Sequence, residues 1–242
     1  MFDWLKRRSR TSAWQATAGG MAAWAAARGC SYKGTRDQEG FVMAPLGSEP
    51  AAWRLEWGPS HRTYLGEREV RLRAPVPLPA DSHAVVLPRT LQTALEVELF
   101  SAFTDQVRTQ VDDALPEEVR WLAVSPRLGA TALGELRDVL GAAGDVKPWL
   151  QRWLSGPTGR LLADVATAGG AGVLPLLFTL QFGVLTLRAA MPAPDPERLA
   201  ELITLFEMAL SEARRCAEEL GDALQSGAPD SALGAPSVPP AD

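Results

Sequence analysis

The stretch VLPLLFTLQFGVLTLRAA, residues 173–190, decides the fold of this chain. No charged residue occurs between Asp164 and Arg188, and an apolar stretch of this length could cross a bilayer. Against a membrane span, the stretch contains Pro175 and Gln181, and its apolar residues alternate with the period of a strand rather than that of a helix. We therefore predict a β-hairpin over 173–190.

The alternation changes parity at Phe182-Gly183, which predicts a two-residue turn there, with glycine supplying the positive φ. The turn fixes which residues of the two strands pair: Gln181 with Val184, Leu180 with Leu185, Thr179 with Thr186, Phe178 with Leu187, and Leu177 with Arg188. One face of the hairpin is then entirely apolar, and we expect a long C-terminal helix to bury it.

Composition and charge fit an ordinary globular protein. The chain has 242 residues, of which 46% are hydrophobic and 22% charged. The net charge of −5 is uneven, because residues 1–73 carry 12 Lys+Arg against 7 Asp+Glu and the remainder carries 12 against 22. Two distant cysteines, Cys30 and Cys216, indicate neither a disulfide framework nor a zinc site and favour a reducing cytoplasm. Abundant Gly, Ala, Arg and Pro with little Lys is typical of a GC-rich bacterial genome.

The periodicities along the chain predict an α+β fold, in which antiparallel β-meander and hairpin sheets are packed by long amphipathic helices. Short strands are expected between residues 30 and 88, one of them at 62–65. Long helices are expected at 90–114 and 195–224, and a shorter helix at 131–143. Each half has helices, strands and then a long helix, an order that would fit two similar halves arising by internal duplication.

We divide the chain into four segments: an N-terminal helical segment (1–29), a β-meander plus long helix (30–115), helices with the hairpin and a long C-terminal helix (116–225), and a disordered Gly/Pro/Ala/Ser-rich tail (226–242). The first segment has a basic and aromatic start. This start could dock on a protein partner or an anionic membrane surface, through Phe2, Trp4, Leu5, Lys6, Arg7 and Arg8. The alternatives are a helix start whose rings pack on the domain, which we favour, and a signal peptide, which we do not.

A cluster of aromatic and basic residues between 53 and 73 supplies the candidate binding residues: Arg54, His61, Arg62, Tyr64, Arg71 and Arg73. Strand alternation sends Trp53 and Trp57 to the opposite, buried face, and the overall acidity disfavours a nucleic-acid partner. The acidic residues Glu56, Glu67 and Glu69 can pair with the arginines across strands, and we favour such ion pairs over ligand binding. Glu117 and Glu118 are expected to be solvated helix charges.

No catalytic, phosphate-binding or metal-binding motif is present, and neither histidine, His61 nor His83, has metal-ligand partners at a suitable spacing. We expect no cofactor, no metal and no catalytic residue. The expected function is a non-enzymatic interaction or accessory module with a protein partner, in the bacterial cytoplasm and peripheral at the inner membrane if the N-terminus docks there. The alternative is a small hydrolase-like enzyme that uses His61 and Ser60 with a distant carboxylate.

Overall fold

A computed structural model describes residues 19–37, 39–47, 52–105, 115–167 and 175–225, apart from the side chains of 101–105 and 223–225. The predicted membrane-contact residues and the predicted disordered tail at 226–242 lie outside these ranges, so both remain predictions.

The described residues form one sheet of eight strands, and every strand pair in it is antiparallel. The strands are β1 Cys30–Gly34, β2 Phe41–Pro45, β3 Arg54–Pro59, β4 Arg68–Pro75, β5 His83–Pro88, β6 Leu140–Gly144, β7 Leu176–Gln181 and β8 Val184–Ala190. Their order across the sheet is β1-β2-β3-β4-β8-β7-β5-β6. The predicted α+β class is confirmed.

Seven helices accompany the sheet in the described part of the chain. They are α1 (19–27), α2 Arg89–Asp105, α3 Glu117–Val124, α4 Ala130–Leu133, α5 Lys147–Ser155, α6 Pro157–Thr167 and α7 Pro196–Gln225. Asp195 is the N-cap of helix α7, because its Oδ1 accepts hydrogen bonds from the amides of Glu197 and Arg198 at 3.0 and 3.2 Å.

The predicted hairpin is confirmed for its described residues, with the predicted register from Gln181–Val184 to Leu177–Arg188. Phe182 and Gly183 form the turn, and both have positive φ angles, 52° and 68°. Two successive positive φ angles characterise the hairpin turn whose twist matches the strands. The parity change read from the sequence is therefore a real turn.

Helices α5, α6 and α7 pack on one face of the sheet and form the main hydrophobic core. Phe178 of the hairpin lies 5.6 Å from the Trp153 ring of α5 and 6.3 Å from the Phe206 ring of α7. The indole nitrogens of Trp149 and Trp153 donate to backbone carbonyls of α7 at 3.0 and 2.9 Å. These buried N–H groups are satisfied, so both indoles can lie in the core without an unmade hydrogen bond.

Helices α2 and α3 cover only part of the opposite face. Their apolar residues form a smaller cluster with side chains of β5, β6 and β7. Strands β3, β4 and β8 carry mainly charged and polar residues on this side of the sheet. The face is thus divided into an apolar half under helices and a charged half.

Three details differ from the sequence prediction. The expected strand at 62–65 is a 3-10 turn, Thr63–Leu65. The expected helix at 131–143 ends at Leu133, continues as a 3-10 turn, Gly134–Asp138, and then becomes strand β6. Two similar halves are not confirmed, because β4 pairs with β8 and β5 with β7 in one shared sheet.

Candidate functional site

The charged half of the sheet is built by strand register. Arg54 and Glu56 of β3 lie on the face opposite the main core, because the leucine and tryptophan that alternate with them are buried there. Pairing with β4 places Arg54 opposite Arg73 and Glu56 opposite Arg71, and Arg71 in turn lies opposite Arg188 of β8. With a buried glutamate of β4, these residues form a group that we call the arginine face: Arg54, Glu56, Glu69, Arg71, Arg73 and Arg188.

Glu56 is the shared acceptor for three arginines. Its carboxylate lies 2.8 Å from Arg54 Nε, 2.8 Å from Arg73 Nη2 and 3.4 Å from Arg71 Nη2. Burial alone would raise the pKa of Glu56, but the charges of Arg73 and Arg71 outweigh burial and hold the pKa below its usual value. Glu56 is therefore ionised at neutral pH, and the three arginines around it leave an excess of positive charge.

Glu69 is the buried end of the arginine face, with only 1% of its surface exposed. Its Oε1 lies 2.8 Å from Arg188 Nη1 and 3.6 Å from Arg71 Nε, so Arg71 bridges Glu69 and Glu56. Within the described residues, Glu69 Oε2 and Arg71 Nε have no hydrogen-bond partner. A buried polar atom without a partner is costly, and here the charge of the two arginines compensates the carboxylate.

A third carboxylate, Glu118, fixes the start of helix α3 to the segment between β3 and β4. Arg62 donates to both of its oxygens, at 2.8 and 3.2 Å, and the Tyr64 hydroxyl donates to Oε1. Burial alone would raise the pKa of Glu118, but the hydrogen bonds from Arg62 and Tyr64 hold it below its usual value. Burial and the neighbouring carboxylate raise the pKa of Tyr64, so its hydroxyl stays protonated as a donor.

Five of the six predicted binding residues are gathered around two carboxylates: Arg54, Arg71 and Arg73 around Glu56, and Arg62 and Tyr64 around Glu118. The sixth, His61, is exposed. Among the described residues it forms no hydrogen bond with Ser60, whose hydroxyl accepts instead from the Arg62 amide at 3.0 Å. The expected cross-strand ion pairs of Glu56 with Arg71 and Arg73 are confirmed. Glu69 instead pairs with Arg71 on its own strand and, across strands, with Arg188, which lies outside the predicted cluster.

Arg188 is not among the predicted binding residues, and the expectation that Glu118 is a solvated helix charge is wrong. Only 3% of Glu118 is exposed, so it is not a solvated helix charge. A signal for its burial exists in the sequence, because Glu118 and Leu122 are four residues apart and share the buried face of α3. Arg188 could be placed in the site only through the β4–β8 pairing, which joins residues more than a hundred positions apart.

No family model, curated protein or solved structure matches the chain. Among the helices of the described ranges, none combines the length and the apolar character needed to cross a bilayer. The part of the chain that the structure describes also contains no group of three or more His, Cys, Asp or Glu residues arranged to hold a metal ion.

Proposed function

We propose that this protein is an interaction module that binds an acidic segment of a partner protein through the arginine face. The observation that carries the proposal is the convergence of three arginines on the single carboxylate of Glu56. Two of these arginines remain open to solvent, with 57% of the Arg54 side chain and 44% of the Arg73 side chain exposed. Both can therefore donate to a second carboxylate while they keep their bonds to Glu56.

The donor geometry favours carboxylates as ligands. An arginine offers five N–H donors in a planar fork, and Arg54 and Arg73 each use one of them on Glu56. The remaining donors can form paired hydrogen bonds to a glutamate or aspartate side chain. Because the arginines stand on paired strands rather than on a loop, they are positioned before the partner arrives, which lowers the entropy cost of binding.

The same face argues against a nucleic acid. Binding to single strands depends on exposed aromatic rings that stack on bases, together with a continuous basic groove. Trp53 and Trp57 are buried in the main core, and Glu56 interrupts the basic surface between the exposed arginines. An acidic peptide can lie across such a face and meet the exposed arginines individually.

The proposal places the module in the bacterial cytoplasm, with a protein partner. Composition supports a bacterial origin, and two free, buried cysteines are compatible with a reducing compartment. Peripheral attachment through residues 2–8 is a separate prediction, which vesicle co-sedimentation with and without these residues would test.

The experiment measures binding of a dye-labelled oligoglutamate peptide by fluorescence anisotropy at several salt concentrations. The Arg54→Glu/Arg73→Glu double variant should weaken binding by at least about tenfold at low salt, because favourable charge pairs become repulsive. The matched control is the Arg137→Glu/Arg160→Glu double variant, which makes the same change in net charge. It replaces two exposed arginines, one in the 3-10 turn Gly134–Asp138 and one on α6.

Binding by the control variant should equal that of the wild type, and added salt should weaken both. The milder Arg54→Gln/Arg73→Gln variant repeats the test without placing new carboxylates beside Glu56. Equal affinity of the wild type and both face variants would overturn the proposal. Tighter binding of a single-stranded RNA than of oligoglutamate would overturn the choice of partner.

A further inference from the structure

A second polar cluster lies at the end of helix α3, on the same face of the sheet as the arginine face but near its β5–β6 edge. It joins Ser125, which follows α3, with His83 at the start of β5 and Asp145 after β6. The β5–β6 pairing brings the last two together, because it aligns the neighbouring residues 84 and 144. The His83 amide donates to Asp145 Oδ1 at 2.9 Å, and the Asp145 amide donates to the His83 carbonyl at 3.1 Å.

The side chains form a chain of contacts through the imidazole. Asp145 Oδ2 lies 3.1 Å from His83 Nδ1, and Ser125 Oγ lies 2.7 Å from His83 Nε2. A carboxylate oxygen accepts hydrogen bonds, so the His83 tautomer that carries its proton on Nδ1 satisfies the contact with Asp145. Nε2 is then the acceptor for the Ser125 hydroxyl. This is the order of groups that activates a serine as a nucleophile.

The neighbours of the cluster hold this arrangement in place. The Trp121 ring packs 5.2 Å from the His83 ring, and the Ser125 amide donates to the Trp121 carbonyl at 2.8 Å. Ser125 is thereby fixed at the helix end with its hydroxyl directed at His83. Ser125 itself is buried, with 9% exposed, but side-chain exposure is 26% for His83 and 42% for Asp145, so solvent reaches the cluster at these two residues.

We propose that Ser125, His83 and Asp145 form a nucleophilic site that hydrolyses small esters with an apolar acyl group. The apolar acyl group is inferred from the two side chains beside the serine, the Trp121 ring and Val124, which is 68% exposed. This activity would be additional to the binding function proposed above, because it uses none of the residues of the arginine face.

The reaction would take place in two balanced steps. In acylation, Ser125 Oγ bonds to the ester carbonyl carbon while its proton passes to His83 Nε2. The carbon–oxygen bond to the alcohol then breaks, and His83 returns the proton to the departing alcohol. In deacylation, a water molecule attacks the acyl-serine, gives its proton to His83 and releases the carboxylic acid as the Ser125 hydroxyl re-forms. Asp145 keeps the ring oriented and stabilises its protonated form throughout.

The test uses the full chain with p-nitrophenyl butyrate and follows both product release and acylation of the protein by peptide mass spectrometry. The expected result is a butyryl adduct on Ser125. Ser125→Ala should remove the adduct and reduce ester hydrolysis to the rate that imidazole in solution gives. His83→Gln should lower kcat/KM by about a hundredfold or more. Asp145→Asn retains the acceptor for the His83 amide and should lower kcat by at least about tenfold.

The matched controls are Ser60→Ala and His61→Gln, an adjacent serine and histidine whose replacement should leave turnover unchanged. Ser125→Cys keeps a nucleophile of similar size and should still be acylated, which separates loss of chemistry from loss of fold. Thermal unfolding of each variant verifies that it is folded. Absence of an adduct on Ser125 in the folded wild type, or full turnover by Ser125→Ala, would overturn the proposal.

Discussion

Replacement of Glu118 by glutamine tests the buried ion pair that anchors helix α3. The variant keeps the shape of the side chain but removes its charge, so the guanidinium of Arg62 loses a paired acceptor at 2.8 and 3.2 Å and the Tyr64 hydroxyl loses an ionised one. Removing one partner of a buried ion pair costs about 3–5 kcal/mol. Because 21% of the Arg62 side chain is exposed and can be rehydrated, we expect the lower end, about 3 kcal/mol.

Urea unfolding followed by tryptophan fluorescence measures this loss as a change in the free energy of unfolding. In a thermal scan, the same loss should lower Tm by about 6–12 °C for a chain of this size. The matched control is Glu117→Gln, because the Glu117 carboxylate is 43% exposed and its contact with Arg120 is long, at 3.7 Å. The control should change stability by less than about 0.5 kcal/mol. A Glu118→Gln variant as stable as the control would show that the buried ion pair does not anchor helix α3.

The difference between the wild type and Glu118→Gln should also depend on pH. The pKa of Glu118 is depressed in the folded state, so its stabilising contribution is complete above the pKa of the unfolded chain. That contribution is lost as pH falls through the lower, folded-state pKa, where the carboxyl becomes protonated and resembles the amide. The two unfolding free energies should therefore converge in acid, and a constant difference down to low pH would contradict the assignment.

Further predictions concern the turn, the core and the thiols. Phe182→Asn should stabilise the protein by about 0.5–1 kcal/mol, because Phe182 is exposed at a φ of 52° and asparagine tolerates that region. Gly183→Ala should cost about 1 kcal/mol, because φ there is 68°. Trp149→Phe should cost about 1–3 kcal/mol by removing a buried 3.0 Å hydrogen bond to α7. Burial raises the thiol pKa of Cys30 and Cys216, so a thiol reagent should modify them only after unfolding.

Urea unfolding of the first three variants and a thiol-labelling time course provide these measurements. Equal stability of the Phe182→Asn and wild-type proteins, or of the Gly183→Ala and wild-type proteins, would contradict the role of positive φ in the turn. A Trp149→Phe variant as stable as the wild type would contradict the contribution of the indole hydrogen bond. Rapid labelling of the native protein would contradict thiol burial.

The hairpin could be predicted from the sequence because the residues that specify its turn and register are close together in the chain. Period-two alternation, a parity change and one glycine specify the turn and the register, and the β7–β8 pairing reproduces them. The candidate arginines Arg54, Arg71 and Arg73 follow from similar local alternation on β3 and β4. Their shared partner Glu56 also lies within this meander, so its ion pairs could be anticipated before the strands were placed in the sheet.

Strand β6 could not be predicted because its extended conformation depends on packing against other elements of the fold rather than on its own sequence. Its sequence LGAAG, Leu140–Gly144, lacks the β-branched and aromatic residues that favour strands. Two of its glycines allow close approach: a Cβ at Gly141 would lie 1.7 Å from Gln92 Oε1, and one at Gly144 would lie 2.5 Å from the His83 carbonyl. The segment is a strand because it pairs with β5 and packs under α2. These contacts are with distant residues, so no local sequence pattern predicts them.

The Ser125–His83–Asp145 cluster could not be predicted for the same reason. Its members are separated by 42 residues between His83 and Ser125 and by 62 between His83 and Asp145. Only the unpredicted strand β6 brings Asp145 to His83. The sequence suggests Ser60 and His61 as a pair because they are adjacent. In the structure, the hydrogen-bonded serine, histidine and aspartate are far apart in the chain.

The proposed binding of an acidic partner at the arginine face can be tested at the arginine side chains themselves. The most direct measurement is an NMR titration of the arginine Nε–Hε resonances with unlabelled oligoglutamate at low salt. We expect saturable shifts for Arg54, Arg71 and Arg73, with the resonances of Arg137 and Arg160 unchanged. Shifts of equal size at all five arginines, or shifts confined to Arg137 and Arg160, would contradict it.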